Sequence, residues 1–159
     1  MQDFCLNLCK VNGIAQTCAE PVDLAPPDSW DGFFRSRASM ASKTAFDLLA
    51  RGPRQRTDRI ERQLKTGDKT DIYGAVLMAI AATGPLTQIT YEELRASLRE
   101  VMASEPPQRH EVTRVLEEMA RIAKDQIEGE PVVDYVSDVA TLYISDPFFA
   151  YYLRWAVRP

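Results

Sequence analysis

The stretch Leu142-Tyr143-Ile144-Ser145-Asp146-Pro147-Phe148-Phe149-Ala150-Tyr151-Tyr152-Leu153-Arg154-Trp155 decides how this chain is read. A β-rich segment stops at Ile144, and Asp146 with Pro147 opens a new helix, since proline is tolerated in a first helical turn. That helix carries aromatics almost all the way round. Phe148, Tyr151, Tyr152 and Trp155 share one side, and Phe149 with Leu153 take another. A helix apolar on every side cannot face water, so its own domain or a partner must wrap it. Packing within the chain and contact with another chain both remain open. Phe148, Phe149, Tyr152 and Trp155 are therefore the candidate interface residues.

Upstream lie two β-prone runs, 131–136 and 139–144, separated by the turn-like Ser137-Asp138. Before them, Pro106-Pro107 starts a helix over 107–124 that buries Val112, Val115, Leu116, Met119 and Ile122 at helical spacing. Thr90 and Glu93 form a capping box for the preceding helix, whose buried face is Leu94, Leu98, Val101 and Met102. A further helix runs from Asp71, with Ile72, Val76, Leu77 and Ile80 inward, to Thr83-Gly84-Pro85. Three helices followed by a hairpin is the winged-helix order, with the hairpin loop as wing and the third helix in the recognition position. The expected fold class is mainly α with a small β-hairpin: a winged helix-turn-helix preceded by an α-helical N-terminal extension.

The extension begins with a short helix over 2–12, ended by Asn12-Gly13, and a proline-containing linker from 20 to 27. Asp28 or Ser29 then caps a long helix through Ala50, stopped by Gly52-Pro53. A second, very basic helix is expected over 54–66, ending at Gly67. It carries Arg54, Arg56, Arg59, Arg62 and Lys65, with favourable Asp58–Arg62 and Glu61–Lys65 pairs and a thin apolar seam of Ile60 and Leu64. The expected domains are 1–27, 28–67 and 71–159.

A chain of 159 residues can bury a real core. No apolar run approaches the roughly 18 to 20 residues needed to cross a bilayer. The opening MQDFCLNLCKV has an acid where a signal peptide carries positive charge, so the expected location is cytoplasmic, with no membrane partner. Net charge is −4, unevenly spread. Residues 1–33 hold one Lys against five acids, 34–70 hold ten bases against four acids, and 71–159 hold eight bases against fourteen acids. Such a basic middle docks on acidic neighbours or touches nucleic acid. For DNA, the candidates are Arg54, Arg56, Arg59, Arg62 and Lys65 together with Arg109, Thr113, Arg114 and Arg121 on helix 107–124. Glu111, Glu117 and Glu118 on that helix repel phosphate, which puts a solvated face ahead of a recognition face.

Catalysis is poorly supported, and no enzyme activity, cofactor or metal is expected. The lone His110 sits beside Glu111 in a first helical turn with no nucleophile near it in sequence. Cys5, Cys9 and Cys18 are an odd set with no companion His, which reads as buried thiols rather than a zinc site.

The segments DIYGAVLMAIA, ITYEELRASL, VTRVLEEMARIAKD and LYISDPFFAYYLRW together resemble the C-terminal winged-helix domain that follows the ATPase core in prokaryotic AAA-type or STAND-type ATPases. The resemblance covers residues 71–157. In that family the wing ends in a tyrosine-containing strand followed by an Asp-Pro-aromatic helix start, and Tyr143, Asp146, Pro147, Phe148 and Phe149 match it here. The family's P-loop is G-x-x-x-x-G-K-[ST]. Thr66-Gly67-Asp68-Lys69-Thr70 lacks the upstream glycine and follows no apolar strand, so ATP hydrolysis is not carried over. The resemblance implies a non-catalytic interaction module that meets a separate ATPase or a second copy of itself. The alternative is a DNA-binding transcriptional regulator using helix 107–124 and the basic helix 54–66.

Overall fold

The structure is a computed structural model that describes residues 2–36, 40–53 and 60–157. Its contacts divide the chain into two units, Met1–Arg37 and Ala38–Pro159. Among the described residues it is mostly helical, with two small antiparallel sheets.

The first unit contains α1 (Gln2–Val11) and α2 (Trp30–Arg35). Ser29 caps α2, its Oγ accepting a 3.1 Å bond from the Gly32 N–H. A unit this short has little area to bury, and its ordered contacts are correspondingly concentrated. Phe4 stacks on Trp30 and Phe34 at centroid distances of 6.2 and 5.5 Å and meets the buried Phe33 edge-on at 5.4 Å. The Asn12 side chain ties the connecting segment back by imitating a strand partner. Its Nδ2 donates to the Ala25 carbonyl at 3.1 Å, and its Oδ1 accepts from the Ala25 N–H at 2.8 Å.

The second unit runs α3 (Met40–Arg51), β1 (Arg62–Gln63), β2 (Lys69–Thr70), α4 (Ile72–Ala82), β3 (Gln88–Thr90), α5 (Tyr91–Val101), α6 (Arg109–Gln126), β4 (Val133–Val136), β5 (Thr141–Ile144) and α7 (Pro147–Tyr152). A wide helical turn, Leu153–Val157, continues α7. The most apolar of these helices, α4, buries Ile72, Tyr73, Ala75, Val76, Leu77, Ala79, Ile80 and Ala81. Burial on nearly all faces requires neighbours all round, and α3, α5, α6 and the C-terminal turn supply them. Asp71 caps α4 through a 3.0 Å bond from the Gly74 N–H. Gly74 admits this close entry because any Cβ there would overlap the Thr70 hydroxyl.

β5 is central in the order β3-β5-β4, with Ile89, Leu142 and Tyr135 in one register row and Ile144 beside Val133. Side chains alternate across a strand, so these rows face one way. Ile89, Leu142, Ile144 and Val133 are accordingly buried in the core. β3 is absent from the sequence-based expectation. Three residues are too few to show an alternation, and pairing with β5 alone defines the strand.

The Thr90–Glu93 capping box forms as expected, with Glu93 accepting from the Thr90 N–H at 2.8 Å and Thr90 Oγ1 accepting from the Glu93 N–H at 3.3 Å. The bonds from Thr90 hold the Glu93 carboxyl below its usual pKa. A lowered folded-state pKa adds stability that is complete above the ordinary carboxylate value and disappears as the pH falls through the lowered one. Glu93→Gln is expected to flatten the acid limb of the stability curve in that window, read by urea melts at a series of acidic pH values. An unchanged acid limb would show that the box carries no pH dependence.

The helix expected from Asp28 to Ala50 is described as α2 and α3, with residues 37–39 outside the described residues. At the C-cap of α2 the Ser36 Oγ donates to the Phe33 carbonyl at 2.8 Å, a bond that competes with helix continuation. The expected extension 28–67 carries α3, whose Ala45 and Leu49 lie in the same core as α4 and α6. One expectation is corrected. The basic helix 54–66 is not a helix over its described part. Residues 54–59, with Arg54, Arg56 and Arg59, lie outside the described residues, while Arg62–Gln63 pairs as a strand with Lys69–Thr70. Gly67 at φ 93° and the 2.8 Å bond from Thr66 to Asp68 make the turn between them. Glu61 reaches Lys69 across this hairpin at 2.7 Å instead of pairing with Lys65. Exposed i,i+4 pairs, worth a few tenths of a kcal/mol, do not outweigh that turn. Among the described residues no helix is long and apolar enough to cross a membrane.

Candidate interaction surface

The aromatic closing helix is largely used by its own unit. Asp146 Oδ1 accepts from the Phe148 N–H at 2.8 Å and Pro147 fills the first turn, which starts α7 and turns its side chains. Phe149 is 0% exposed in the core, and Tyr152 packs on Phe46 of α3 with ring centroids 5.8 Å apart. Burial pushes the Tyr152 phenol above its usual pKa. Phe149 and Tyr152 are therefore buried within the chain. Phe148 remains 68% exposed, and Trp155 is partly exposed beside Tyr151 at 6.4 Å.

The hairpin tip is a short 3-10 turn, Ser137–Val139, closed by Ala140 at φ 46° and ψ 46°. The Ala140 carbonyl accepts from the Tyr91 N–H at 2.9 Å and fastens the tip to the start of α5. The β4 strand and this turn carry Asp134 and Asp138, with Val136 and Val139 also exposed. The tip is acidic and apolar.

On α6, the 3.6-residue repeat turns Val112, Val115, Leu116, Met119, Ile122 and Ala123 inward and leaves Arg114, Glu117, Arg121 and Lys124 outside. Arg121 is held by Glu118, with Nε 3.1 Å from Oε2. Arg62 reaches from β1 to Glu111 at 3.2 Å, its side chain only 13% exposed. Lys65 donates to the Arg99 carbonyl at 3.0 Å. Thr113 is half-buried. The structure thus brings Arg62 to α6 but spends its charge there on a carboxylate. Arg114 is exposed on the outer face.

Arg109 lies with its guanidinium carbon 4.7 Å from the centre of the Tyr91 ring. Beside it is a cleft of about 350 Å³ lined by Tyr91, Arg95, Arg99, Pro106, Pro107 and Arg109, with Glu92, Glu105 and Gln108. Sequence reading missed Arg95 and Arg99. Their one-turn spacing on α5, flanking the buried Leu94 and Leu98, was the available signal, and it looks the same as an ordinary solvated face.

His110 is exposed in the first turn of α6. The thiols of Cys5, Cys9 and Cys18 are free, with Cys5 and Cys18 exposed rather than buried. Among the described residues no three His, Cys, Asp or Glu side chains are grouped to hold a metal ion.

No protein-family model, curated protein or solved structure matches this chain.

Proposed function

We propose that the second unit is a non-catalytic winged-helix module that works through protein contact, resembling the accessory domain of AAA or STAND ATPases. The order α4-β3-α5-α6-β4-β5, with the short β3 joining the hairpin through β5, supports the winged-helix reading. The residues that carry the resemblance have structural duties: Asp146 caps, Pro147 starts the turn and Phe149 fills the core. They therefore support the architecture directly, and an ATPase partner only through the resemblance.

The observation that favours protein contact over DNA is the combination of neutralised cations and an acidic tip. Arg62 and Arg121 each face a carboxylate, and Asp134 and Asp138 mark the hairpin where a duplex would need positive charge. The exposed Val136, Val139 and Phe148 suit a protein surface instead. The DNA-binding alternative keeps the exposed Arg114 and Lys124.

Titration with non-specific duplex DNA at low and moderate salt, with molar mass by light scattering on the same sample, separates the two. Protein contact predicts no salt-dependent micromolar binding. Micromolar binding that weakens steeply with salt would replace this reading with the regulator.

A further inference from the structure

We propose that the cleft between α5 and the start of α6 binds a carboxylate-bearing acidic segment of a protein partner, gripped by Arg95, Arg99 and Arg109. This deepens the protein-contact reading and rests on it. Arg95 and Arg99 are one helical turn apart, so both guanidiniums rise from the same side of α5. Arg109 comes from the first turn of α6 and lies over the Tyr91 ring at 4.7 Å. Stacking uses the face of a guanidinium and leaves its N–H edges for an acceptor, which is the geometry that recognises carboxylates. Lys65, bonded to the Arg99 carbonyl at 3.0 Å, adds a further positive charge to the same end of α5.

The cleft is also preformed. Pro106 and Pro107 wall it, each with its φ fixed by the ring and no N–H of its own. Tyr91, buried beneath Arg109, is pinned through its N–H to Ala140. A rigid site loses less entropy on binding than one that must be ordered.

Charge decides what enters. Two carboxylates line the same cleft, Glu105 and Glu92. Glu92 stands 3.7 Å from the exposed Arg95, beyond hydrogen-bond distance, unlike the carboxylates bonded to Arg62 and Arg121. The Arg95 guanidinium can therefore take a further acceptor. A duplex carries a phosphate charge about every 1.7 Å along its axis and meets those acids as well as the arginines. An extended acidic peptide can seat individual carboxylates between the guanidiniums and pass the two acids with its neutral backbone.

The test uses the full chain and two labelled probes, a poly-glutamate octapeptide and a short DNA duplex, followed by fluorescence anisotropy at low salt. The expected result is peptide binding that weakens about tenfold or more in Arg95→Gln/Arg99→Gln and in Arg109→Gln. Arg114→Gln, on the outer face of α6, leaves it unchanged. Circular dichroism confirms that each variant is folded, as exposed positions allow. Peptide binding that ignores the three arginines, or no binding of either probe, overturns the cleft while leaving protein contact in place. Duplex binding that depends on the same arginines overturns both.

Discussion

Phe149→Ala is expected to lower the stability of the second unit by about 3–5 kcal/mol, the usual cost of emptying a phenylalanine site in a packed core. The side chain is fully buried, and it belongs to the cluster that joins α4, α6 and the β5 strand. Water cannot restore the lost contacts, because the space it leaves is apolar. Against a typical total of about 5–15 kcal/mol, such a loss leaves a marginal domain or an unfolded one. The neighbouring Phe148→Ala is expected to change stability by no more than about 0.5 kcal/mol, since that ring lies in solvent. Urea unfolding followed by far-ultraviolet circular dichroism reads both. Equal effects at the two positions would contradict the rotation of α7 set by its Asp146 cap. If Phe148→Ala leaves stability intact but weakens partner capture, the exposed ring belongs to the working surface.

That contrast marks how far the aromatic helix was legible. The separation of Phe149 and Leu153 from Phe148 and Trp155 followed from helical geometry, and both residues of the first pair are fully buried. Which side would stay wet was not legible. It depends on α3, whose Phe46 meets Tyr152 from a distant part of the chain. Caps were easy for the opposite reason. Ser29 and Thr90 each bond a backbone N–H three residues on, and Asp146, read as opening its helix, bonds one two residues on, so the information is local. The segment before Gly67 shows the converse. Its charges repeat like those of a helix, yet pairing with Lys69–Thr70 and the Leu64–Met102 bridge define it, and neither partner is visible in a local period. Arg95, Arg99 and Arg109 come together for the same non-local reason: the α5–α6 connection, with its two prolines, returns the chain beside its own earlier turn.

Leu49→Ala is the second large effect, expected to cost about 2–5 kcal/mol. The sequence reading placed α3 outside the winged-helix domain, and an extension of that kind would tolerate truncation of its side chains. In the structure Leu49 is 0% exposed, and α3 packs on α4, α6 and α7. Gly52 then ends the helix at φ 61° with the Tyr73 ring 3.1 Å from where a Cβ would sit, which fixes the end of α3 against α4. Truncating Leu49 therefore removes contacts from the central core, and the loss appears in the unfolding of the whole second unit. Chemical denaturation monitored at Trp155, with Trp30 in the first unit replaced by Phe to silence it, isolates that transition. A midpoint shift as large as that of Phe149→Ala would place α3 in the same cooperative core as the closing helix. A shift below about 0.5 kcal/mol is what a surface site gives, and it would return α3 to the status of an appendage. The second outcome would also remove the support beneath Tyr152 and reopen that side of α7 as a contact surface.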